Sequence, residues 1–566
     1  MVQHSKQIGG FVKKLVAVVA AGGLGITGLG VLVATGPSAV TGLVAAATDT
    51  AAVTDASDAF RPAGLKWHRC ATPIVKGATA FDRVGPVTVS KIIQCAELKV
   101  PLDHARPNGQ KITLQLTRLP HRGKGKAKGD IVVNPGGPGA SGALFAPAFY
   151  ALNSPSMQAA YNVIGFDPRG IGFSKPALTC DADYGNAPRP AYGHGDATSI
   201  AVWLKRSKAY ADACARKYGK GSPVNLLDHS KTTDSARDLN TIRAALGHKK
   251  LNYYGGSYGT YLGSVYATMF PKRVGKMVLD GNVDPANVWY GAQKPQNIAF
   301  NENMEYYFGW LARYDDRYHL GKTKAAVRAF YYSLEARLAK APVVKNGTAV
   351  GAPELLDTLQ NAAYKRSQGV WHSLAVGLSA YKTGDLNTFL ETFGSNTIGG
   401  SDDNEFAAYH AIQCSDVQWP KNWRKWQADA TRMDRIAPFS TWYNTWYNAP
   451  CMFWGAKPGT PVKVGQTRNL PKNILLFQAT NDAATPYADA LKLQKLLKGS
   501  HLVVQDGDRT HVIVHRGDRR PGGVDAIFDA YWLKDRLPAK PIVHVSQLGD
   551  PTPPPTPSKT GAPAGK

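Results

Sequence analysis

Short apolar runs that stop at glycine or proline alternate with amphipathic stretches along much of this chain. DIVVN (130–134) stops at PGGPG, and YNVIGFD (161–167) stops at PRGIGFS. Runs of this length bounded by turn residues predict buried strands that end in loops. DSARDLNTIRAALG (234–247) has a different period. Ala236, Leu239, Ile242 and Leu246 fall on one face, Thr233 can cap the start and Gly247 can close the end, which predicts a helix. LNYYG (251–255) reads as a strand, YLGSVYATMF (261–270) as a helix ended by Pro271, and KMVLDG (276–281) as a strand. NILLFQATND (473–482), YADALKLQKLLKG (487–499), HLVVQDGD (501–508) and VDAIFDAYWLKDRL (524–537) continue as strand, helix, strand and helix. Alternation at this pace implies a mostly parallel sheet covered by helices, an α/β fold.

From about 288 to 468 the alternation stops. This stretch is rich in aromatics and helix formers, shows no strand runs, and holds six of the twelve tryptophans between 419 and 454. The expected organisation is one α/β domain (48–287 and 469–545) split by a mainly helical insertion (288–468). The Pro-rich tail DPTPPPTPSKTGAPAGK, in a segment 546–566, is expected to be disordered.

The N-terminus changes the picture. A positive, polar start precedes LVAVVAAGGLGITGLGVLVA (15–34), and no charge occurs from Leu15 to Thr48. That is the layout of a secretory signal over 1–47, ending near Ala45–Ala47, with an uncleaved anchor as the alternative. Gly23, Gly25 and Gly28 also spell G-x-G-x-x-G ahead of Asp49. A dinucleotide fold needs an amphipathic crossover helix next, and none follows. Six cysteines fit export: Cys70, Cys95, Cys180, Cys214, Cys414 and Cys451. An even count without C-x-x-C, and without a cysteine near histidine at metal-ligand spacing, favours disulfides over metal, and sequential pairing is the simplest arrangement. Lys and Arg number 67 against 41 Asp and Glu, a formal charge of +26. The basic residues are scattered, and the one cluster, HRGKGKAKG (121–129), lies in a glycine-rich loop. This reads as a solvated basic surface able to associate with an anionic cell surface, not as a nucleic-acid site.

The chemistry centres on GGSYG (255–259), a G-x-S-x-G between a predicted strand and a predicted helix. A sharp turn there needs small neighbours and lifts the serine oxygen clear of the sheet, so Ser257 is the candidate nucleophile. A serine hydroxyl needs a base, and the base an orienting carboxylate. Asp482 follows a late strand and His511 the next one, in the order Ser, acid, His. His515 ranks second, and His501, which begins the strand itself, reads as structural; Asp506 and Asp508 are fallback acids whose blander role is to anchor the loop at that strand's end. Two N–H donors must meet the oxyanion. Tyr258 offers one, and NPGGPGASG (134–142) offers the other, at Gly137 with Gly136 as its neighbour.

NPGGPGASG, GFDPRGIGFS, GGSYGT, VLDGNVDP and ATNDAATPY, in this order, resemble the secreted tripeptidyl aminopeptidases, relatives of the proline iminopeptidases within the α/β hydrolases. The resemblance covers about 65–540, including the insertion. It implies a serine exopeptidase with a helical cap that releases short peptides from free N-termini, with the triad on Ser257, Asp482 and His511 and no metal or cofactor. The chain differs in having DRTH before its histidine where relatives carry a glycine-rich turn, and it lacks a C-terminal cysteine pair that many carry. An aminopeptidase also needs an anion for the substrate ammonium, facing the nucleophile from the cap. Glu302, Glu305 and Asp416 are the candidates. The alternative is an esterase or lactonase with the same triad, acting on a small hydrophobic substrate.

Overall fold

A ten-stranded sheet organises the protein. The computed structural model describes residues 60–84 and 87–555; the expected leader at 1–47 lies outside the described residues. The strands are β1 (His68–Arg69), β2 (Gln94–Pro101), β3 (Lys111–Leu119), β4 (Gly129–Asn134), β5 (Tyr161–Phe166), β6 (Leu251–Gly256) and β7 (Val274–Asp280). After a cap hairpin of β8 (Val343–Lys345) and β9 (Thr348–Val350) come β10 (Ile474–Ala479), β11 (His501–Asp506) and β12 (Ile542–Ser546). Their order in the large sheet is β1-β2-β3-β5-β4-β6-β7-β10-β11-β12. From β5 to β12 every pairing is parallel, and β1, β2 and β3 run antiparallel at one edge. The antiparallel edge, β2 and β3, was not expected. Its sequence, QCAELKVP and KITLQLTRL, has the mixed alternation of such strands.

Burial on both faces explains the apolar runs. All six residues of β10 are buried. Along β4, Ile131 and Val133 join the core on one side of the sheet and Val132 joins the other, as side chains alternating across a strand must.

Nine helices matter to the site: α1 (Gly142–Leu152), α2 (Thr232–Ala245), α3 (Tyr258–Met269), α4 (Gln293–Arg313), α5 (Ala352–Tyr364), α6 (Gln368–Thr383), α7 (Asp403–Asp416), α8 (Tyr487–Leu496) and α9 (Val524–Lys534). Helix α2 starts two residues before the expected 234. Lys231 is its N-cap residue, and Asp234 accepts the Lys231 N–H at 3.2 Å. The stretch between β7 and β10 is a helical cap that includes α4 to α7. It is not free of strands: β8 and β9 form a hairpin whose turn residues Asn346 and Gly347 have φ of 51° and 75°. Asn-Gly between apolar residues is a strong hairpin signal, and VVKNGTAV carried it. Most tryptophans of 419–454 fill the cap interior, where Trp419 stacks on Trp426 and Trp423 on Trp446.

Disulfides join Cys70 to Cys95, Cys180 to Cys214 and Cys414 to Cys451. No described helix is long and apolar enough to cross a membrane.

The expected disorder from residue 546 is corrected for residues up to 554. Ser546 ends β12, and the following segment docks on the cap. Asp550 accepts from Tyr306 at 2.7 Å and pairs with Arg313 at 2.6 Å; Trp310 donates to the Pro551 carbonyl at 2.7 Å and Gln368 to that of Thr552 at 2.8 Å. Arg317 donates to the Pro554 carbonyl. Trp310 of α4 and Arg317 just beyond it thus meet carbonyls of a proline-rich chain, which composition alone does not disclose.

Candidate active site

Ser257 stands where β6 meets α3, with φ 55° and ψ −126°. A non-glycine residue there costs about 1–3 kcal/mol and persists only where its surroundings hold it. They do so here. The Ser257 N–H donates to the Asp280 carbonyl at 2.8 Å, and the Thr260 amide and hydroxyl donate to the Ser257 carbonyl at 2.8 and 2.7 Å. Gly255 permits the crossing, because a Cβ there would lie 2.3 Å from the Gly259 carbonyl oxygen.

Asp482 leaves the end of β10 and is buried. Its Oδ1 accepts the amides of Ala484 and Thr485 at 2.9 and 3.0 Å, and its Oδ2 accepts the Thr485 hydroxyl at 2.9 Å. Both oxygens reach His511 Nδ1, at 3.0 and 2.8 Å. A carboxylate so held fixes the imidazole ring and directs its other nitrogen outward. His511 Nε2 is buried and has no hydrogen-bond partner among the described residues.

Core and cap both hold the histidine loop. Asp280 accepts the amides of Ile513 and Val514 at 3.0 and 2.8 Å and the Tyr254 hydroxyl at 3.1 Å; burial pushes its carboxyl up to about 6. From the cap, the Tyr364 carbonyl accepts the His511 N–H at 2.9 Å, and Arg366 pairs with Asp508 at 2.6 Å. Asp508, named as a fallback acid, is thus an anchor that also accepts the Thr510 amide. Asp506 pairs with His544 at the surface. His501 bonds the Lys540 carbonyl, and His515 packs against Phe149 and Phe528 with its Nε2 on Asn153; burial lowers the His515 ring to about 3.

The glycine loop after β4 folds over the serine. A Cβ on Gly136, whose φ is 102°, would lie 2.5 Å from the Gly256 carbonyl oxygen and 2.8 Å from Ser257 Cβ. Only glycine fits so close a backbone approach. The Gly136 amide is taken up by the Asn134 side chain at 3.0 Å. The Gly137 and Tyr258 amides have no partner among the described residues. Asp167 ties the start of α1 to this loop: it accepts from Ser141 Oγ at 2.6 Å and the Ala143 amide at 3.0 Å.

The three carboxylates named for an amine fall elsewhere. Glu302 is exposed. Glu305 is engaged by Arg328 and Lys324 on the outer face of α4. Asp416 is buried, but it accepts the Thr232 amide and hydroxyl at 2.7 and 2.6 Å and Trp289 Nε1 at 3.1 Å. It joins α2 to the cap, and both of its oxygens already accept hydrogen bonds from the protein. Sequence reading missed Glu405, on the first turn of α7. Its backbone and Cγ pack against Gly139 of the glycine loop, and its carboxyl makes no hydrogen bond among the described residues. Burial, with Asp402 nearby, pushes that carboxyl up to about 8. In sequence, Asp402-x-x-Glu405 looks like a capping box, which gives the glutamate an ordinary role. Asp402 does cap the helix, accepting the Glu405 amide at 2.9 Å, but the glutamate carboxyl does not reciprocate.

Residues 131–518 match the family model of the alpha/beta hydrolase fold. Over 491 residues the chain is 37% identical to a tripeptidyl aminopeptidase of Streptomyces lividans, covering 85% of this chain and 86% of that one. It is 32% identical to the serine protease Hip1 of Mycobacterium tuberculosis, covering 78% and 86%, and 28% identical to a carboxylesterase B of the same species, covering 79% and 85%.

Proposed function

Because the chain belongs to the α/β-hydrolase family, in the group of the tripeptidyl aminopeptidases, and is a serine peptidase, we propose that it is an exported aminopeptidase releasing short peptides, tripeptides foremost, from free N-termini. Ser257 attacks the scissile carbonyl while His511 takes its proton at Nε2 and Asp482 holds the ring. The oxyanion binds the Gly137 and Tyr258 amides, donors preset at the point where charge develops. The C–N bond breaks as His511 returns the proton to the leaving amine, leaving an acyl-enzyme. Water, deprotonated by the same histidine, then releases the peptide acid.

The observation that carries this reading is the Asp482–His511 pair, with both carboxylate oxygens within 3.0 Å of Nδ1 and a buried Nε2 that has no hydrogen-bond partner among the described residues. The exopeptidase part rests on Glu405. Its half-buried carboxyl has no hydrogen-bond partner among the described residues and is mostly neutral, and an arriving α-ammonium supplies the charge that lets it ionise. Three disulfides support export, since such bonds persist in oxidising compartments. The net charge of +26 supports attachment to an anionic cell surface.

A panel of tripeptidyl and aminoacyl amides, free and N-acetylated, tests the proposal. Cleavage of free tripeptidyl substrates, abolished in Ser257→Ala, is expected. Equal rates on free and acetylated N-termini would sink the aminopeptidase claim. Ester turnover without any amide cleavage would select an esterase.

A further inference from the structure

The parallel strands β4, β6, β7, β10, β11 and β12 are neighbours in that order, so their first residues form one row along an edge of the sheet. Ser257, Asp482 and His511 stand at the opposite ends, after β6, β10 and β11. A six-residue strand is about 20 Å long. The row is thus more than twice the physiological Debye length of about 8 Å from the chemistry, too far to steer a substrate.

This row is basic and uncompensated. HRGKGKAKG (121–129) leads into β4 with Arg122, Lys124, Lys126 and Lys128 exposed. Lys249 and Lys250 lead into β6, Lys272 into β7, Lys472 into β10, Lys498 into β11 and Lys540 into β12. These six are exposed and form no ion pair among the described residues. The acids of the same stretches are Asp130 and Asp535, already taken by His248 at 2.8 Å and Lys276 at 2.7 Å. Cations favour helix C-termini, but Lys249, Lys250, Lys472 and Lys540 lie outside helices, so the helix dipole does not account for them.

The chemistry and shape of the row narrow its partner. No large apolar or aromatic side chain is exposed in these stretches, so nothing there inserts into a bilayer or stacks on a base. Lysine ammonium groups are point charges that suit phosphate, whereas bidentate carboxylate recognition favours arginine. Five strand spacings make the row about 24 Å long. Neighbouring strands are rotated by about 20–25°, so the strand starts wind through about a hundred degrees from β4 to β12. A flat bilayer or a stiff duplex meets only part of such a row, whereas a flexible chain can follow it.

We propose that this row binds a linear polyanion of the cell envelope, a flexible polymer with phosphate charges along its chain. Bound there, the enzyme keeps its catalytic end turned away from the polymer and open to substrate. The proposal deepens the surface-attachment part of the reading above and rests on it.

Long-chain inorganic polyphosphate is the probe, with phosphatidylglycerol vesicles and duplex DNA compared at equal phosphate. Six lysines, each neutralising one phosphate, give a slope of about −4 for log K against log salt, a loss of about three hundredfold between 50 and 200 mM. Lys249→Gln/Lys250→Gln/Lys272→Gln is expected to weaken binding at 50 mM by about a hundredfold. Lys322→Gln/Lys340→Gln/Lys345→Gln, the same charge change on exposed cap lysines, is expected to leave it within about threefold. Hydrolysis of a tripeptidyl anilide is expected to be unchanged in both variants and with polyphosphate bound. No binding to polyphosphate, or an equal loss in the two variants, overturns the proposal. Tighter binding to vesicles or to DNA overturns the partner, and inhibition of hydrolysis by bound polyphosphate overturns the placement. Absent hydrolysis with the binding results intact overturns the peptidase reading and leaves this one standing.

Discussion

Replacing Arg366 by methionine isolates how far the cap sets the position of His511. Arg366 lies between α5 and α6, and its guanidinium meets Asp508 at 2.6 Å with the two side chains only 2% and 5% exposed. A second branch reaches Asp550 of the docked tail at 3.3 Å. Removing one partner of a buried ion pair costs about 3–5 kcal/mol, because the other charge stays behind. Asp508 keeps the Thr510 amide at 2.7 Å, which places the loss at the lower end, about 3 kcal/mol. At about 2 cal/mol/K per residue, unfolding a chain of this size carries about 1 kcal/mol per degree, so the melting midpoint drops by about 3 °C. The catalytic effect is larger in proportion. Asp508 is three residues before His511, and a shift of about 1 Å there costs up to about a hundredfold in kcat. Thermal melts and kcat and KM on a tripeptidyl anilide follow both effects, with Asp508→Asn and the double variant completing a cycle. The double variant is expected to be less damaged than the two losses summed, since neither charge is then stranded. An Arg366→Met protein with unchanged melting and unchanged kcat would refute the reasoning.

Four further outcomes are expected. Ser257→Gly removes the left-handed strain at the elbow, so it should melt higher by about 1 kcal/mol in stability while losing activity, whereas Ser257→Ala loses activity without that gain; calorimetry on both distinguishes them. Gly136→Ala pushes a methyl toward the Gly256 carbonyl and Ser257, and kcat on the anilide is expected to fall by about a hundredfold or more. Glu405→Gln is expected to lower the ratio of kcat/KM for free over acetylated tripeptidyl substrates by about ten- to a hundredfold. His515 has its folded pKa depressed to about 3. Below about 6.5 the unfolded chain therefore takes up the proton first, and stability is lost as pH falls from there toward 3. Between pH 6.5 and 5 that is about 2 kcal/mol from this one ring. Denaturant melts at pH 7 and 5 should show His515→Gln losing less stability than wild type on acidification.

The central strands, the elbow and the glycine loop were legible because each is a local rule: apolar runs closed by glycine, and small residues where backbones touch. Asp482 and His511 were legible from chain order alone. What sequence could not convey is how a carboxylate is used. Asp416 looked available beside Cys414 and is spent on Thr232 and Trp289, while Glu405 looked like a helix cap and is not one. Both outcomes depend on partners 100 residues or more away, or on a loop from the other half of the fold. The antiparallel edge was missed for another reason, since β2 and β3 alternate imperfectly. The docked tail was missed because proline content speaks to what a segment can donate, not to what it can accept.

The tail also has a mechanical consequence. The chain passes from sheet to cap after β7 and returns before β10, and two crossings of that kind define an axis about which a lid can swing. Residues 547–554 attach at further points, on α4, α6 and the Arg366 segment. Contacts off a hinge line turn a hinge into a braced frame. A cap braced in this way is expected to stay in place while substrate enters, so that entry does not wait on a swinging lid.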